Sequence, residues 1–234
     1  MDKNKVLETI KTVKNSKKRK FTQTFDVIIN LKDLNLKKQE ENVDSFVVLP
    51  HPKGKNPKIC ALINKNLADK TKIFDNAILL EKFPQEEKEK KKLADSYDIF
   101  LAQADIMPKI ASAFGKVLGP KGKMPNPKLG CVISLATDLE ALKKKLQNTV
   151  RLKTKKELII KVAIGNEGMS DNDLLDNFMA VHINLIHVLP KSEHNIRDIY
   201  LKLTMGKPFK IGEKDESSRV REEKEWSGNT ERFV

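Results

Sequence analysis

The segment Gly119-Pro-Lys-Gly-Lys-Met-Pro has the composition of a phosphate-binding loop. Such a loop needs a glycine, four residues and then Gly-Lys-Ser/Thr, so that amides cradle phosphates and a hydroxyl holds magnesium. Here Gly122-Lys123 is followed by Met124, and the position five before Gly122 is Val117. ATP hydrolysis through this loop is therefore excluded. Two readings of the segment stay open, about evenly. In one, its amides and Lys121, Lys123 and Lys128 contact a nucleic-acid backbone. In the other, it is a Pro/Gly-stiffened turn without a ligand. No GxGxxG fingerprint follows a strand. His182 and His187 are five apart and would face different sides of a helix, so they make no metal pair. Cys60 and Cys131 form no CxxC pair and lack a catalytic context, and no nucleophile elbow occurs. The reading is of a protein without catalytic residues, cofactor or metal. The alternative is a βαβ enzyme that binds a phosphorylated small molecule at Gly119–Lys123; it lacks a base or nucleophile there.

Binding chemistry is better represented. The chain has 234 residues, 45 Lys plus Arg against 32 Asp plus Glu, and a net charge of +13. That excess predicts a polyanionic partner, most simply nucleic acid. It is clustered, as phosphate tracking requires. Residues 1–20 carry Lys3, Lys5, Lys11, Lys14, Lys17, Lys18, Arg19 and Lys20 against Asp2 and Glu8. Residues 115–130 carry Lys116, Lys121, Lys123 and Lys128 with no acid, and 140–161 are again strongly basic. For 140–161 alone a solvated face is the better reading; three clusters together favour nucleic acid. The stretch 207–234 nets zero. No apolar run reaches the ~20 residues of a membrane span, and the first twenty residues contain no signal-type apolar region. The cysteine usage fits a reducing, cytosolic setting.

The elements that must position these groups follow from periodicity. Val6, Leu7, Ile10 and Val13 have helical spacing over 5–16. Residues 24–31 alternate as a strand, with Phe25, Val27, Ile29 and Leu31 on the apolar side. Residues 45–49 form a short strand that stops at Pro50, and 51–58 read as a hinge or linker. From Ile59 the texture changes. Apolar runs at 59–63, 77–80 and 97–102 alternate with polar helical stretches, which predicts βαβ units and a parallel sheet covered on both faces. A helix is expected over 105–118 with Pro108 in its first turn, then a loop over 119–130 and a strand at 131–135. The next helix, 137–147, is expected to be capped by Thr137 with Glu140 three positions on. Strands at 150–153 and 157–164, a helix from Ser170 to about Val188 and an alternating strand at 198–205 complete the chain. The tail 212–234 reads as flexible and charged. The fold class is therefore α/β and α+β in two nested domains. The outer one, a two-layer split β-α-β domain, comprises 1–52 and 149–211. The inserted one, 53–148, is a three-layer Rossmann-like αβα domain. Two chain crossings between them make a double hinge.

Three segments remain: Lys20-Phe21-Thr22-Gln23-Thr24-Phe25, the run AQADIMP with LGPKGKMP, and Leu203-Thr204-Met205-Gly206. In this order and spacing they resemble the L-one family of large-subunit ribosomal proteins, in its archaeal form, over about residues 1–211. The resemblance implies a two-domain RNA-binding protein, monomeric within the large ribosomal subunit and cytoplasmic. It implies as partners the mobile stalk of large-subunit rRNA, tRNA at the exit site and the protein's own mRNA, whose translation it would repress. It also implies that the RNA surface lies on the outer domain, at Lys20, Phe21 and Thr24 and at Thr204, Met205 and Gly206. Lys202, Lys17 and Arg19 stand beside them, with Lys14 and Lys18 as peripheral phosphate contacts. The residue types suit that role. Gly206 has no Cβ to hold a ligand away, and Thr204 offers a hydroxyl to sugar or phosphate. Phe21 offers an aromatic face, although its position also fits a staple on the N-terminal helix. Met205 continues the apolar side of its strand and so also fits the core.

Overall fold

The computed structural model describes residues 2–16, 19–35, 38, 41–67, 70–84, 86–134, 137–154 and 157–212. The chain divides into two compact units, Met1–Gly54 with the chain from Val150 onward, and Lys55–Thr149. The tail expected to be flexible is 212–234, and beyond Gly212 it lies outside the described residues.

In the first unit, strands β1 (Thr24–Leu31), β8 (Ile159–Asn166), β9 (Ile196–Leu203) and β10 (Phe209–Lys210) form one sheet in the order β10-β9-β1-β8. All its pairings are antiparallel. The alternation in β1 buries Phe25, Val27, Ile29 and Leu31. Helix α1 (Lys3–Lys14) contributes Val6, Ile10 and Val13 to the same core, and α5 (Asp171–Val188) contributes Leu174, Phe178, Val181 and Leu185. Those spacings are one face of a helix. The Ser170 hydroxyl starts α5 by accepting from the Asp173 amide at 3.1 Å, which satisfies one of the free amides of the first turn. A second, two-stranded sheet pairs β2 (Asp44–Val48) with β7 (Thr149–Lys153).

In the second unit, β3 (Ile59–Ile63), β4 (Asn76–Leu79), β5 (Ile99–Gln103) and β6 (Val132–Ile133) form a parallel sheet in the order β4-β3-β5-β6. Every residue of β3 is buried. Cys60 and Leu62 pack with Phe100, Ile110 and Phe114, whereas Ile59, Ala61 and Ile63 pack with Leu139, Leu142 and Leu146. Helices α2 (Glu87–Ser96) and α3 (Met107–Lys121) thus cover one side and α4 (Leu139–Asn148) the other. A continuous apolar run is what a strand covered on both faces requires, and the mixed α/β class follows directly.

Several local expectations are corrected. The stretch between β3 and β4 contains two 3-10 turns, Lys65–Leu67 and Lys70–Ile73, in place of an α-helix. Helix α3 continues through Gly119 and Pro120 to Lys121, so the expected loop begins only at Gly122. The φ of Gly122 is +65°, a left-handed value that suits glycine at a helix end. Its amide donates to Gly119 O at 2.9 Å, and the Lys123 amide donates to Leu118 O at 3.0 Å. Helix α4 is capped by Asp138, whose carboxylate accepts from the Glu140 and Ala141 amides at 3.0 and 3.2 Å. Thr137 instead accepts from the Ser134 amide at 3.0 Å. Strand β9 ends at Leu203, two residues earlier than expected.

Candidate nucleic-acid interface

Antiparallel pairing brings the two distinctive segments of the first unit together. Phe25 of β1 lies opposite Leu203 of β9, so Thr24 and Thr204 meet where the strands part. The Thr204 amide donates to Thr24 O at 3.1 Å. The Thr204 hydroxyl accepts from the Thr24 amide at 3.2 Å and reaches Thr24 O at 3.3 Å and Thr24 Oγ1 at 3.2 Å. A hydroxyl has one hydrogen and two lone pairs. The three contacts to Thr24 engage this small capacity, so Thr204 closes the strand pair before it can serve a ligand.

Beyond Leu203 the chain makes a tight turn, in which the Gly206 amide donates to Leu203 O at 2.8 Å. A Cβ on Gly206 would stand 3.3 Å from Leu203 Cβ, a tight contact inside the turn. The turn reverses the fate of Met205. Strand alternation would place it in the core, yet it is 62% exposed, because the strand stops two residues before it. Phe21 is 54% exposed and does not act as a buried staple for α1. Two large apolar side chains thus reach solvent on segments joined by the Thr24–Thr204 bonds and by Gln23.

Sequence reasoning did not single out Gln23 as a site residue. It is 1% exposed. Its side-chain oxygen accepts from the Met205 amide at 3.3 Å, and its side-chain nitrogen donates to the Glu167 carboxylate at 3.4 Å. Its backbone oxygen accepts from the Glu167 amide at 3.0 Å. Gln23 therefore ties the 204–206 turn to the loop between β8 and α5. Its one sequence signal is a polar residue at the mouth of an alternating strand.

The charged residues divide. Arg19 and Lys20 are exposed at the start of this segment, and Lys202 is half-exposed opposite Asp26. Burial raises the Asp26 carboxyl above its ordinary value, and the Lys202 charge lowers it. Lys17 and Lys18 lie outside the described residues. Lys14 is engaged within the fold, donating to Met169 O and pairing with Asp171 at 2.5 Å. Part of the 140–161 cluster is also engaged. Lys143 donates to Ile73 O at 2.6 Å, and Arg151 grips Asp44 through two bonds of 2.7 Å. That contact holds the Asp44 carboxyl below its usual range.

The segment Gly119–Lys123 does not join this patch by sequence or by unit. Lys121 pairs with Asp95, and Lys123 donates to Ala94 O and Tyr97 O at 2.8 and 2.7 Å. These lysines fasten the end of α3 to the end of α2; Lys128 remains exposed. Helix α3 leaves the carboxyl end of β5 and runs back about 22 Å at 1.5 Å per residue. Its last turn therefore lies at the amino end of the sheet, opposite the end where open α/β sheets hold ligands. It is also a helix C-terminus, whose dipole disfavours phosphate. Burial pushes the Cys60 thiol up to about 12 and the Cys131 thiol up to about 11, which removes both as nucleophiles near neutral pH. Among the described residues no cluster of three or more metal-ligating side chains occurs. Nor is any described helix long and apolar enough to cross a membrane.

Residues 13–207 match the model of the Ribosomal protein L1p/L10e family. The chain belongs to that family. It is 40% identical over 213 residues to the large ribosomal subunit protein uL1 of Nanoarchaeum equitans, which covers 88% of this chain and 98% of the relative. The protein of the same name from Methanothermococcus thermolithotrophicus is 36% identical over 216 residues, covering 90% and 99%. That of Thermococcus kodakarensis is 37% identical over 215 residues, covering 90% and 98%. The L1p/L10e family is one of ribosomal proteins and is not enzymatic. The match runs through both units, including β1, the 166–169 loop and the 203–206 turn.

Proposed function

We propose that this chain is a structural component of the large ribosomal subunit, in the cytoplasm, and that it grips the mobile stalk of large-subunit rRNA. The grip is the strand-end patch: Lys20, Phe21 and Thr24 on one side, Thr204, Met205 and Gly206 on the other. The single observation that carries this reading is the cross-link by Gln23 and Thr204. It presents two exposed apolar side chains and a small-residue turn on a rigid base. Structured RNA is read largely through shape, with contacts to sugar and phosphate. A fixed patch of small and apolar groups suits that better than a mobile basic arm. Arg19, Lys20 and Lys202 add phosphate contacts, and Lys17 is assigned the same role from the sequence alone. The stalk stands beside the site from which deacylated tRNA leaves, so the protein assists that release. The same patch binds a similarly shaped hairpin in the protein's own mRNA and represses its translation. These roles rest on family resemblance and on the patch chemistry.

The test is a gel-shift titration with a stalk RNA fragment. Met205 is 62% exposed and stands outside the core cluster, so Met205→Ala isolates the surface. The expected result is affinity lower by about ten-fold, in line with ~1.5–3 kcal/mol for burying a methionine side chain, with an unchanged thermal melt. Wild-type affinity in that variant would refute the assignment.

A further inference from the structure

Apart from Lys202 at its edge, the stalk patch leaves the sheet face opposite the core unused. Register places Lys210, Tyr200, Ile28 and Lys161 side by side in one row across β10, β9, β1 and β8. The next row, one pleat closer to Thr24 and Thr204, holds Lys202 and Asp26. Their neighbours along each strand, Val27, Leu201 and Val162, point the other way into the core. In the open row Lys161 is exposed and the other three are half-exposed. At ~4.8 Å per strand the row spans about 14 Å.

The row has a definite chemistry. An aromatic ring and an aliphatic side chain occupy the two inner strands, and a lysine stands on each outer strand. Lys210 is steadied by Asp198 at 3.1 Å. An aromatic residue at the middle of a half-exposed antiparallel sheet stacks an unpaired base, and lysines beside it neutralise the adjoining phosphates. A duplex keeps its base faces stacked inside, so the chemistry selects single-stranded RNA. Asp26, when ionised, only accepts hydrogen bonds. It therefore matches a base edge that presents donors.

We propose that this sheet face is a second RNA-binding surface, which takes a short unpaired segment with one base stacked on Tyr200 and the flanking phosphates on Lys161 and Lys202. The proposal takes its class of partner from the RNA-binding reading above. It adds a different RNA form at a different place. The face is continuous with the stalk patch, since Thr24 begins the strand that carries Asp26 and Ile28. Unpaired nucleotides next to a bound stalk or hairpin would thus run directly onto it.

The experiment uses the full chain, a fluorescein-labelled ten-nucleotide single-stranded RNA of mixed sequence, and separately a folded stalk RNA, both read by anisotropy. Tyr200→Ala is expected to weaken the single-stranded oligonucleotide by about ten-fold and Tyr200→Phe to stay within two-fold, with both variants melting like wild type. Met205→Ala is expected to weaken the stalk RNA and leave the oligonucleotide unaffected, so the two surfaces fail independently. The proposal is overturned if wild type does not bind the oligonucleotide or if Tyr200→Ala binds it like wild type. It is also overturned if Tyr200→Phe loses as much as Tyr200→Ala. Binding of a poly-glutamate peptide in place of the oligonucleotide, with the same dependence on Tyr200, would assign the face to an acidic protein and likewise overturn it.

Discussion

Gln23 sets the geometry of the patch without being part of its surface. A buried amide whose partners are removed costs about 1–3 kcal/mol, and Gln23 serves both the Met205 amide and Glu167. Gln23→Leu keeps most of the volume and removes both bonds. We expect it to lower stability in urea titration by about that amount and to weaken stalk RNA binding although the residue itself is buried. Unchanged RNA affinity in a folded Gln23→Leu protein would show that the turn holds its shape alone. Residue identity in the patch was legible in the sequence, because the segments around Phe21 and Thr204 are distinctive. Residue environment was not. The alternation Ile199, Leu201, Leu203, Met205 carries no mark of where the strand stops, so Met205 reads as core until the Leu203–Gly206 turn is seen. The Thr204 hydroxyl likewise reads as free, whereas it closes the β1–β9 pair.

At the scale of elements, the long periodic segments were legible and the boundaries were not. Helices α1 and α5 and strands β1 and β3 carry dense apolar patterns that tertiary packing reinforces. Helix α3 overran its expected end because Pro120 and Gly119 both fall in its last turn, where a Gly-Pro pair reads as a break. Its true stop is Gly122. That one turn changes the meaning of the most chemistry-like segment in the chain, converting an exposed phosphate-type loop into a helix end fastened by Lys121 and Lys123 to α2. Strand β10 was missed because two residues show no periodicity. The α4 boundary gives a direct test, since Thr137 and Asp138 are adjacent candidate caps. Asp138→Ala should cost about 1 kcal/mol, with Thr137→Ala costing less, in thermal or urea melts. Equal costs would place the cap in Thr137's bond to Ser134 as much as in Asp138.

At the scale of the molecule, the +13 charge is distributed less freely than its clusters suggest. Lys14, Lys121, Lys123, Lys143 and Arg151 are all bonded within the fold. Exposed ion pairs add little stability, but a lysine holding two carbonyls or a carboxylate is poorly placed to track phosphates. On the function proposed here, charge announces the class of partner and sets the salt dependence, while discrimination is assigned to a nearly uncharged strand end. The nested order of the chain puts both halves of that patch, 20–24 and 203–206, in the same unit although Thr24 and Thr204 stand 180 positions apart in sequence. The measurement that bears most directly on this account is co-sedimentation with large ribosomal subunits at moderate salt, comparing Phe21→Ala/Met205→Ala with Lys121→Met/Lys128→Met. The account predicts that the apolar pair stays in the supernatant while the lysine pair sediments like wild type. Sedimentation of the apolar pair together with release of the lysine pair would contradict it.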